Sequence, residues 1–196
     1  MESIISYVDG LTIEKVYFVA LAFCLLLNAV PKVKIPKVFH LAVIMIAFNA
    51  FSHLWLFDFL YFQSSVYGVK LWVVGWCIYE LLVIVSIIVC RQFVRKIHNR
   101  FILSDILLIF GCVVQILVYA LTFVAKSQGS SAMNLIYAAT APTLYVFTIV
   151  VLAFPSIYKF VGFLKGYKEF NGDRRNRSRG PSGMFSARVH RFILGY

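Results

Sequence analysis

What most constrains this chain is its succession of five apolar runs, at residues 13–30, 38–62, 70–90, 104–125 and 135–154. Each approaches or exceeds the roughly 20 residues that an α-helix needs to cross ~30 Å of hydrocarbon. In lipid every backbone N–H and C=O must be satisfied within the protein, which leaves helices or a closed barrel as spanning structures. The alternating ten-residue segments of a barrel are absent. Hydrophobic residues make up 61% of the 196 positions and charged ones 14%, too apolar a balance for a soluble domain. The expected fold class is all-α, a polytopic bundle of five transmembrane helices. Connections of seven to nine residues between most runs predict antiparallel neighbours. The chain therefore divides into a bundle, residues 1–170, and a basic tail, residues 171–196.

The segment before the first run carries Glu2, Asp9 and Glu14 against Lys15, whereas a cleaved signal peptide needs a positive start, so this run is read as an uncleaved anchor. Charge then sets the orientation. With the N-terminus outside, the inner segments hold Lys32, Lys34 and Lys37, then Arg91, Arg95, Lys96 and Arg100, then the nine basic residues from Lys159 onward. That is sixteen of the nineteen lysines and arginines, leaving Lys15, Lys70 and Lys126 outside. Basic residues concentrate in cytoplasmic loops, so the C-terminus is expected in the cytoplasm and the protein in a cytoplasmic or plasma membrane. The net charge of +11 largely expresses this bias rather than affinity for nucleic acid.

Glu80 lies near the middle of the third run. A charged side chain at the bilayer centre costs at least ~2.5 kcal/mol, so such a residue normally faces a bundle interior, a partner or water. At ~1.5 Å of rise per residue, Asn49, Glu80 and Gln115 all fall roughly 15 to 17 Å from a membrane boundary. His53 lies one turn from Asn49 on the same helical face, with Ser52 beside it. These four, Glu80, His53, Asn49 and Gln115, form the candidate intramembrane site. Interhelical hydrogen bonding is the simplest role for them. A proton or cation path, with an imidazole near a carboxyl, is the sharper one.

Trp72, Trp76, Tyr79, Trp55, Tyr61 and Tyr67 are read chiefly as interfacial anchors, with Trp76 one turn from Glu80 and able to pack over a cation. Asp58 and Asp105 fall near span ends, where water keeps their charge cheap, and Asp105 sits in the first turn of its helix. Pro142 should bend the fifth span and release the carbonyl of Ala138, with Thr140 and Thr143 as nearby donors. Cys24, Cys77, Cys90 and Cys112 form no CxxC pair and are assigned to packing, Cys90 beside Arg91 also suiting lipidation in a eukaryote. His40 and His53 are thirteen residues apart, but His98 and His190 fall outside the spans, so no facing histidines complete a haem site. No zinc-binding helix motif, nucleophile elbow or phosphate loop occurs, so neither an enzyme, a metal nor a cofactor is expected.

Beyond Pro155 the chain interleaves Lys159, Lys165 and Lys168 with Tyr158, Phe160, Phe163 and Tyr167, an interfacial pattern that extends the last helix along or out of the inner leaflet. Residues 171–183 are nearly devoid of apolar side chains and read as a linker. Over 184–196, Phe185, Val189, Phe192, Ile193 and Tyr196 share one helical face beside Arg188 and Arg191. This predicts a short amphipathic helix. With Arg174, Arg175, Arg177 and Arg179 it suits anionic lipid or a partner protein. Nucleic acid ranks below both, since no aromatic residue stands among those four arginines to stack on bases.

The sequence thus points to a small multi-pass membrane protein acting as an assembly, scaffold or regulatory subunit through its tail. The alternative is an oligomeric ion channel or proton-coupled conductance centred on Glu80.

Overall fold

The computed structural model describes residues 2–30, 34–93, 101–127, 132–164 and 192–194. Its elements are six α-helices: α1, Glu2–Ala29; α2, Pro36–Phe51; α3, Phe57–Tyr67; α4, Val69–Phe93; α5, Leu103–Ser127; and α6, Ala132–Leu164. A π-helical turn, Ser52–Leu56, joins α2 to α3. Among the described residues four segments are long and apolar enough to cross a membrane: Pro36–Ser64, Lys70–Gln92, Leu103–Ala125 and Pro142–Val161. The apolar part of α1, Lys15–Ala29, is shorter. The described residues are all-helical in architecture, and the protein is an integral membrane protein.

Local chemistry places the breaks. Pro36 opens α2 at a position where its missing N–H would have had no helical partner, after an extended Ile35. Gly68 separates α3 from α4 with a φ of 82°, a left-handed conformation that glycine adopts without a Cβ penalty, and its N–H closes α3 onto Ser64 O at 2.8 Å. One residue therefore reverses the chain. Gly75 completes this hairpin, because a Cβ there would overlap the Leu60 side chain of α3.

The helices pack as a closed ring. α1 lies against α2, α2 against α4, α4 against α5, α5 against α6, and α6 returns to α1. Large apolar side chains such as Phe23, Leu54, Phe62 and Phe110 face outward, while Leu21, Leu41, Ile87 and Leu152 fill the interior. Since lipid is as apolar as leucine, such an outer face gains nothing from burial, and cohesion falls to close packing and interhelical hydrogen bonds.

The last helix extends past its apolar run, as the lysine and aromatic pattern beyond Pro155 predicts, and continues through both Pro142 and Pro155 to Leu164. Thr143 and Thr140 donate to the carbonyls of Ala139 and Ile136, at 2.7 and 2.6 Å. Continuity through Pro155 has a visible cause. Proline leaves the carbonyl four residues earlier without its helical donor. Here that carbonyl is Val151 O, and the buried Ser104 hydroxyl of α5 donates to it at 3.2 Å.

Of the expected tail helix, 192–194 form a helical turn with Leu194 buried in the core cluster and Ile193 packed against it. Arg174, Arg175, Arg177, Arg179, Arg188 and Arg191 lie outside the described residues, as does the linker.

Candidate functional site

Among the described residues a buried ion pair lies where α4 ends and α5 begins. Arg91 Nε donates to both carboxylate oxygens of Asp105, at 3.0 and 2.9 Å, and Nη2 donates to Oδ1 at 2.6 Å. Nη2 also reaches Lys37 O at 2.9 Å, while Asp105 Oδ2 accepts the Ile102 N–H at 2.9 Å. Each charge sits at the helix end whose dipole favours it, the cation in the last turn of α4 and the anion in the first of α5. The expectation of a water-exposed Asp105 is therefore corrected: the residue is fully buried, and its partner is a buried guanidinium rather than solvent. Arg91 belongs to the same knot and not simply to a positive loop.

A second knot ties α1 to α6. Asn28 Nδ2 donates to Cys24 O at 2.8 Å and to Leu152 O at 3.3 Å, and its Oδ1 accepts the Ser156 hydroxyl at 2.6 Å. Asn28 and Ser156 are both fully buried. Sequence reasoning passed over Asn28. Its signal was an amide inside an apolar run, the same signal that singled out Asn49 and Gln115.

Inside the ring is a cavity of about 180 Å³. Asn49, His53, Glu80 and Gln115 all line it, contributed by α2, the π turn, α4 and α5. Glu80 is 5% exposed, with the Cys112 thiol of α5 hydrogen-bonded to its carboxyl. Gln115 Nε2 donates to Tyr119 Oη at 2.8 Å, and the Ser52 hydroxyl donates to Asn49 O at 2.9 Å while bonding that of Tyr79. His53 is exposed, and Asn49 and Gln115 are half-buried.

The π turn matters to this arrangement. Such turns insert a residue into a helix and recur at functional sites. This one begins at Ser52, so the wall formed by Asn49, Ser52, His53 and Phe57 straddles it. Nothing in the residue pattern announces it.

The walls are aromatic as much as polar. Phe57, Trp72, Trp76 and Tyr79 make successive edge-to-face contacts with centroids 5.6, 5.8 and 5.4 Å apart. Tyr17 and Tyr145 stack at 4.2 Å across α1 and α6. Trp72, Trp76 and Tyr79, assigned to the membrane interface from sequence, thus also line an interior cavity. Trp76 Nε1 is buried and lacks a hydrogen-bond partner among the described residues. Among the described residues no group of three His, Cys, Asp or Glu side chains is placed to hold a metal ion.

No protein family, curated protein or solved structure matches this chain. Its chemistry is read from its own residues.

Proposed function

We propose that this protein handles protons or a small cation at the membrane midplane, as a channel or proton-coupled conductance whose working group is Glu80. The observation that carries this reading is the shared cavity: a carboxyl 5% exposed, with His53, Asn49 and Gln115 on the same roughly 180 Å³ space. A buried acid lodged in a polar cavity within lipid is the usual mark of an ion or proton pathway. Hydrogen bonding between helices alone would not require a cavity beside it.

In this reading the chain crosses the membrane five times, with α1 as the first span, the N-terminus outside and the tail in the cytoplasm. Its packing between α2 and α6 supports the added span. The sidedness draws support from the grouping of basic residues at one end of the bundle, where Lys159 Nζ donates to Lys34 O at 2.9 Å and Arg91 reaches Lys37 O.

The test is flux in proteoliposomes. A pH-sensitive proton or monovalent-cation flux, abolished by Glu80→Gln in a protein that still elutes as a single species, is the expected result. Absence of flux, together with loss of a co-purifying partner when 171–196 are deleted, would instead identify an assembly or regulatory subunit acting through its tail.

A further inference from the structure

We propose that the cavity around Glu80 binds a small organic ammonium ion, its charge against the Glu80 carboxylate and its carbon body against the aromatic walls. This deepens the preceding reading of the site and rests on it.

Charge selects a cation. Among the described residues Glu80 is the one carboxyl of the lining, and no lysine or arginine stands with it. A buried carboxylate is costly until a counter-charge and hydrogen bonds compensate it, so an occupant bearing positive charge gains what an anion or a neutral solute cannot.

The walls select an organic cation over a metal ion. Hard cations such as calcium take six to eight oxygen ligands, and magnesium a strict octahedron. Here a single carboxylate stands among Tyr17, Trp72, Trp76, Tyr79 and Tyr145. Aromatic faces attract alkylammonium groups by about 0.5 to 2 kcal/mol each, the larger values applying where water is excluded. The amide oxygens of Asn49 and Gln115 add acceptors for N–H donors.

Size sets the upper limit. At ~30 Å³ per water-sized group, about 180 Å³ accommodates roughly six such groups. That admits methylammonium, ethanolammonium or tetramethylammonium and excludes a phospholipid headgroup with its glycerol.

The chain has three tryptophans, and Trp72 and Trp76 both line the cavity while Trp55 is 53% exposed. A Trp55→Phe background therefore makes indole emission a direct reporter. Titration of this protein in detergent with tetramethylammonium, methylammonium and ethanolammonium, at constant ionic strength, is expected to give a saturable change. Sodium chloride and the neutral isostere tert-butanol are expected to give none. Affinity should fall at least tenfold in Glu80→Gln and in Trp76→Leu, and be largely kept in Trp76→Phe, which retains the aromatic face and guards against a folding defect.

No saturable change beyond that with sodium chloride would overturn the proposal, as would equal binding of tert-butanol or affinity within twofold of wild type in Glu80→Gln. A Glu80-dependent proton flux without ammonium binding would sink this inference and leave the conductance intact. Ammonium binding without flux would do the reverse.

Discussion

Removing one member of the Arg91–Asp105 pair should cost far more than removing both. In Arg91→Met the Asp105 carboxylate stays buried, keeping the Ile102 N–H but losing three guanidinium contacts. In Asp105→Leu the guanidinium keeps only the Lys37 carbonyl. Breaking a buried pair from one side costs about 3 to 5 kcal/mol, because an uncompensated charge remains in a medium that cannot solvate it. The double variant removes the bond to the Lys37 carbonyl and the bond to the Ile102 N–H, about 1 kcal/mol each. Its loss should therefore be about 2 kcal/mol, against about 6 to 10 for the summed singles, a coupling of about 4 to 8 kcal/mol. Thermal unfolding in detergent, followed by circular dichroism, reads this as a drop of about 10 °C for each single variant, much of it recovered in the double. If the double instead loses the sum of the two singles to within about 0.5 kcal/mol, the charges are not energetically paired and the account of the α4–α5 junction is wrong.

The Ser104 bond to Val151 O should matter only because of proline. Ser104→Ala is expected to cost about 1 kcal/mol in the natural background and almost nothing in Pro155→Ala, where the restored N–H takes over the carbonyl; an equal cost in both backgrounds refutes the link. Leu194→Asp should release the 192–194 turn from the bundle, lowering stability by about 2 kcal/mol and speeding proteolysis of the C-terminal segment; unchanged melting and cleavage would show that this contact contributes nothing.

How far the sequence foretells the bundle depends on the kind of information required. Depth is one-dimensional, and a fixed helical rise converts position into height, so Asn49, Glu80 and Gln115 could be put on one level from numbering alone. Rotation about each helix axis is different. It decides whether residues at one level meet, and in this chain it depends on the π turn at Ser52–Leu56, which reflects packing rather than composition. The tyrosines were similarly opaque: Tyr17 and Tyr145 stack across α1 and α6, and an amphipathic ring gives no hint of which way it faces. The Arg91–Asp105 pair was legible in principle, since opposite charges fourteen residues apart flank a reversal between two spans. Counting Arg91 toward the positive face concealed it. The continuation of the last helix past Pro155 was legible from the lysine and aromatic pattern, but the hydroxyl that offsets the proline was not, because it comes from another helix.

The π turn also sets the orientation of α3 in a way that side-chain chemistry does not capture. Each residue of an α-helix advances the azimuth by ~100°, and the wide turn at Ser52–Leu56 absorbs about one such step, so regular α winding of the same residues would swing α3 by more than a quarter of a circle relative to α2. Leu60 would then leave the notch at Gly75, and Phe57 would leave the side of Trp72, although every residue concerned kept its identity. In this segment the winding itself is a structural determinant, and single-residue deletion within the turn, which restores regular winding while removing the extra step, should leave both contacts in place.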